Sequence, residues 1–159
     1  MKRTITTLLI ALFASLSVLA QVSKSLLIGK WTLDDNTTVT FKKDGNFLSQ
    51  QKIKQESKGI QFLITISTPG RWTEGSNTLR LEQDAKGIKV SMAFADASSV
   101  DETTRQSYES MFSQLSENMA KGAREKELPA VTYEIKKLEK NYFEIYNSES
   151  ELTQYGTRK

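Results

Sequence analysis

The chain has 159 residues, with 22 Lys and Arg against 19 Asp and Glu, a formal net charge of +3. It holds no cysteine and no histidine. That excludes disulfides, thiolate nucleophiles, iron–sulfur clusters, His-ligated metals and a Ser-His-Asp triad. The length fits one domain with a sizeable core.

The first element is an address. Lys2 and Arg3 precede an apolar run from Leu8 to Ala20, and Val18-Leu19-Ala20 supplies modest residues before a cut. This is the pattern of a secretory signal peptide over 1–20, cleaved between Ala20 and Gln21. The run is too short for a bilayer core of about 30 Å. Cleavage removes Lys2 and Arg3 and leaves 20 basic against 19 acidic residues, net +1. No basic run interleaves with aromatics, so no nucleic-acid footprint is expected. With no Cys to carry a lipid, the product is expected free in a periplasm or outside the cell. The working domain is then 21–159, with no membrane-spanning segment, held by its apolar core alone.

Turn signals follow at Asp34-Asp35-Asn36, Asp44-Gly45-Asn46, Ser57-Lys58-Gly59, Gly75-Ser76-Asn77 and Asp84-Ala85-Lys86-Gly87. Asp-Gly is a strong hairpin signal and suggests a type I′ turn. Between the turns apolar residues alternate: Val39 and Phe41; Ile60, Phe62, Ile64 and Ile66; Leu79 and Leu81; Ile88, Val90, Met92 and Phe94. Period two predicts half-buried antiparallel strands. Residues 60–74 read as one long strand interrupted at Pro69-Gly70, or as two strands with a loop.

The period changes after Val100. Tyr108, Met111, Phe112, Leu115 and Met119 stand three to four apart, the stripe of an amphipathic helix inserted at about 100–127. Ser99 with Glu102 forms a capping box before it, and Pro129 marks its exit. Burying four such side chains contributes about 6–12 kcal/mol before entropy, so the helix is expected to lie on something. Alternation resumes at Val131, Tyr133 and Ile135, then at Phe143 and Ile145, with Leu152 and Tyr155 in a last short strand. The sum is mainly β: eight or nine strands and one helix, as a sandwich or a closed barrel. Closure is favoured because it removes free edges. Gly29-Lys30-Trp31-Thr32 recurs as Gly70-Arg71-Trp72-Thr73, two similar strand entries in one barrel.

Gly29 and Trp31 open the first strand. With Thr38-Val39-Thr40-Phe41 and Asp44-Gly45-Asn46-Phe47 behind them, the chain resembles the lipocalin-like (calycin-type) family of small secreted bacterial β-barrels. The resemblance spans the strands from about 26 to 95 and again 131 to 155. It implies an antiparallel up-and-down barrel of about eight strands. It also implies that Trp31 plugs the closed end and that Gly29 lets the backbone pass closely. The family's Thr-Asp-Tyr loop motif is absent, its late arginine on the tryptophan falls to Arg80 or Arg158, and the helix precedes further strands instead of following the last.

Trp31 and Trp72 are expected in the core. Phe41, Phe62, Ile64, Met92 and Phe94 would face inward together as a pocket lining, with Tyr108, Phe112 and Leu115 above them if the helix is a lid. A barrel of this size either fills with side chains or holds one small ligand, and the helix either caps the mouth or packs on the outer wall. The carboxylates Asp34, Asp35, Glu82 and Asp84 are explained by turns and strand ends. No calcium loop or phosphate loop occurs, so no catalytic residue, metal or cofactor is expected. The expectation is an exported, monomeric, non-enzymatic protein holding a small apolar or amphipathic ligand in its barrel. The alternative is an interaction or envelope-associated module with a filled core.

Overall fold

The computed structural model describes residues 25–158 apart from 58, 97 and 99. The leader over 1–20 lies outside the described residues. Nine strands appear: β1 (Gly29–Leu33), β2 (Thr38–Phe41), β3 (Asn46–Ser57), β4 (Ile60–Glu74), β5 (Thr78–Gln83), β6 (Lys89–Phe94), β7 (Val131–Leu138), β8 (Tyr142–Asn147) and β9 (Leu152–Thr157). One helix, α1 (Glu102–Arg124), stands between β6 and β7. The sheet runs β3-β2-β1-β9-β8-β7-β5-β4-β6, and β3 also pairs with β4. Eight antiparallel strands therefore close into an up-and-down barrel, and β6 lies outside the ring. The architecture is consistent with a calycin-like fold.

The ring closes because alternate side chains turn inward on every strand. Trp31, Leu33, Val39, Phe41, Phe47, Trp72, Leu79, Ile135, Phe143 and Ile145 form one buried cluster with Leu27. Trp31, Phe143, Leu27 and Leu79 are the largest of the fully buried side chains. Trp31 meets Phe143 edge-on at 4.8 Å, and Phe41 meets Trp72 edge-on at 5.4 Å. Both indoles satisfy their N–H, as buried indoles must. Trp31 Nε1 donates to Leu27 O at 2.7 Å, and Trp72 Nε1 donates to Lys42 O at 3.0 Å.

The arginine on Trp31 is Arg158. Its guanidinium sits 4.2 Å from the indole centroid. It donates to Ile28 O at 2.9 Å and Leu26 O at 2.7 Å, and Nε donates to Lys140 O. Gly29 adopts φ +133°, and a Cβ there would lie 2.8 Å from Arg158 Nη1. Arg80 instead lies on the surface, paired with Glu82 at 3.0 Å.

The β2–β3 turn differs from the type I′ expectation. Only Gly45 has positive φ (81°). Gly45 N–H donates to Lys42 O and Lys42 N–H to Asn46 O, which makes a type I turn closed by a glycine bulge.

The long strand is continuous, and Pro69 marks its change of partner. Phe62–Ser67 pair with β6, whereas Gly70–Glu74 pair with β5. At the junction Pro69 contributes only its carbonyl, which accepts from Asp84 N–H at 2.8 Å. A residue without an N–H fits a position where no donor is needed. Above this point β3 and β4 leave the ring, and β6 adds to β4 to make a three-stranded annex at the barrel rim.

Candidate functional site

The annex carries the barrel's inward face beyond the barrel. On β4 the inward row Trp72, Gly70, Thr68 continues as Ile66, Ile64 and Phe62, and the register sets these three opposite Val90, Met92 and Phe94 of β6. Helix α1 packs on this row. Phe112 meets Phe62 at 5.8 Å and Phe94 at 5.1 Å, and Tyr108 meets Phe94 at 6.0 Å. The helix therefore lies at the rim, on the side continuous with the barrel interior, and not on the outer wall.

The helix starts two residues later than a Ser99 cap would place it. Ser99 lies outside the described residues. Asp101 is the N-cap, and its carboxylate accepts from Thr104 N–H at 2.9 Å and from Thr104 Oγ1 at 2.7 Å. Those hydrogen bonds hold its carboxyl below the usual carboxylate range. At the other end Arg124 donates to Ile88 O at 3.0 Å and pairs with Glu117 at 3.0 Å. This ties the last turn to the start of β6.

The structure divides the expected pocket lining. Phe41 sits in the barrel core against Trp72 and Phe47. Phe62, Ile64, Met92, Phe94, Tyr108, Phe112 and Leu115 belong to the annex, because β3 and β4 run past the ring before β6 and α1 join them. Gly29, Trp31, Gly70 and Trp72 are all barrel residues, and the ring of Phe47 occupies the space where Gly70 lacks a Cβ. The helical stripe is covered on one side only. Phe112 and Ala120 are buried, whereas Met111, Leu115 and Met119 stay about 40% exposed. Burial of four large side chains is thus replaced by burial of one, with Tyr108 half-covered.

Between α1 and the outer edge of β6 lies a groove of about 680 Å³. Its floor is apolar: Val90, Met92, Phe94 and Phe112. Its helix wall is small and acidic: Glu109, Ser113, Ser116 and Glu117. Arg105 closes one end, paired with Glu102 at 3.2 Å. A second concavity of about 650 Å³ lies on the outer barrel wall among Lys42, Leu48, Pro69, Arg71, Glu82 and Asp84. Its two basic and two acidic side chains surround the apolar Phe47, Leu48 and Pro69, and among the described residues no unpaired strand edge borders it.

The groove has a second property that the strand pattern alone does not carry. β6 pairs with β4 on one edge, and nothing pairs with its other edge among the described residues. Ala95 N–H donates to Gln61 O, so the bonded pairs toward β4 fall on residues 95, 93, 91 and 89. The N–H and C=O groups of Val90, Met92 and Phe94 therefore point away from β4, toward the groove. Glu109, Ser113 and Ser116 escaped the sequence reading because they are ordinary exposed helix residues until β6 is placed beside them.

Among the described residues no three of His, Cys, Asp and Glu converge as a metal site. No described helix is long and apolar enough to cross a membrane. No known protein-family model matches the chain, and no curated protein matches it.

Proposed function

We propose that this protein is an exported, non-catalytic interaction module with a filled barrel, and that it binds its partner through the α1–β6 face. The observation that supports the reading is the occupancy of the barrel. Trp31, Phe41, Phe47, Trp72, Leu79, Phe143 and Ile145 interlock inside the ring, and a lipocalin-type ligand would have to displace them. An apolar space with convergent polar groups lies at the groove, beside an unpaired strand edge, and its volume is in the range of binding sites.

Two measurements test it. Native mass spectrometry and displacement of a fluorescent fatty acid should show no amphiphile taken up. A photo-cross-linking residue at Ser113 should capture a polypeptide from envelope extract, whereas the same residue at Lys30 on the barrel wall should not. Uptake of one amphiphile per chain with a change in Trp31 and Trp72 emission overturns the reading, since that places the ligand inside the barrel.

A further inference from the structure

We propose that the groove accepts an extended polypeptide segment, which adds to β6 as a tenth strand with a basic residue against Glu109. The inference rests on the interaction-module reading and names the partner's chemistry.

The edge itself selects a main chain. Val90, Met92 and Phe94 offer three N–H donors and three C=O acceptors at every second residue, the spacing another strand matches and few other ligands do. At Ile88, just before this run, Arg124 already occupies the outward carbonyl. The open run thus starts after Ile88 and ends with β6 at Phe94.

Free edges are ordinarily defended by charge, proline or a bulge. β6 reads Lys-Val-Ser-Met-Ala-Phe. It carries one lysine, at its first position, and no proline. Its pairing with β4 is continuous from Phe62↔Phe94 to Ser67↔Lys89, without a bulge. The side chains around the edge leave room for a strand: Ser91 and Ala93 on one side, Ser113 and Ser116 on the helix wall.

Side-chain chemistry follows from the lining. An added strand turns alternate residues toward Met92, Phe94 and Phe112, so these are apolar. The helix wall is acidic. Glu117 is neutralised by Arg124 and Arg105 by Glu102, which leaves Glu109 as the wall carboxylate without an ion pair among the described residues. A lysine or arginine of the incoming segment complements it. A second copy docked edge to edge would instead bring the Glu109 wall against its own duplicate.

The test selects nonapeptides from a random display library on the full chain and studies the best binder in two N-methylated forms. One form is methylated on odd residues, the other on even residues. Strand addition uses the N–H groups of one phase only. One form should therefore lose binding by about tenfold or more while the other changes by less than about threefold. Binding should slow amide exchange at Val90, Met92 and Phe94, and Glu109→Gln should weaken it about threefold to tenfold at low salt. Equal binding of both forms, unchanged exchange at those three amides, a dimer formed through β6, or no enriched peptide overturns the proposal. If cross-linking at Ser113 still captures a partner, strand addition fails and the interaction module stands. If the barrel takes up an amphiphile instead, both fail.

Discussion

Arg158 joins its own strand end to two distant segments, residues 26–31 and Lys140. One guanidinium reaches the carbonyls of Leu26, Ile28 and Lys140 and sits over the Trp31 ring. Hydrogen bonds from a charged donor are stronger than neutral ones, and the cation–π contact adds to them. Arg158→Ala should cost about 2–4 kcal/mol in urea unfolding with an unchanged denaturant slope. Arg158→Lys should recover less than half of that, because a point charge cannot serve three carbonyls in a fork. Gly156 is the second sensitive residue. The ring of Phe143 lies over it so closely that a Cβ would overlap the ring. Gly156→Ala should destabilise by about 1–3 kcal/mol through overpacking, whereas Gly122→Ala, where a Cβ meets nothing, should stabilise α1 slightly. Thermal melts of the pair separate the two effects.

At the scale of the element, α1 depends on its cap as well as on its aromatic contacts with the annex row. Asp101 holds the first turn with hydrogen bonds to Thr104 that its charge strengthens. A carboxyl whose folded value is depressed stabilises the fold above its unfolded value, and that contribution is lost as pH falls through the folded one. Asp101→Asn still caps the helix through its side-chain oxygen. The variant should match the parent near neutrality and lose less helicity as pH falls below the ordinary carboxylate range, where the parent carboxylate takes up its proton. Circular dichroism across an acid titration reads the difference. Asp44, held by Asn46 in the β2–β3 turn, is depressed in the same direction. The Asp101 variant must therefore be compared by helix signal and not by global unfolding alone.

At the scale of the whole molecule, two small cores share two strands. The strands, the helix and the indole core were legible in the sequence because period two, period 3.6 and buried tryptophans each follow from local chemistry. The partition was not. Phe41 and Phe62 obey the same inward alternation, yet they lie in different cores. The length of β3 and β4 beyond the ring, and the transfer from β6 to β5 at Pro69, appear only once non-local pairing is known. The groove was hidden for the same reason, since an edge is defined by the strand that is absent. Shared strands also couple the cores energetically. In the parent, helix signal at 222 nm and tryptophan emission should unfold together, because β3 and β4 carry the annex row and the barrel row on one backbone. Phe112 is the side chain that binds α1 to that row, and Phe112→Ala should cost about 3–5 kcal/mol locally. Both tryptophans lie in the barrel, so the variant should lose helix signal at lower urea than it loses native emission. Coincident transitions in Phe112→Ala would mean that the barrel cannot stand without its annex.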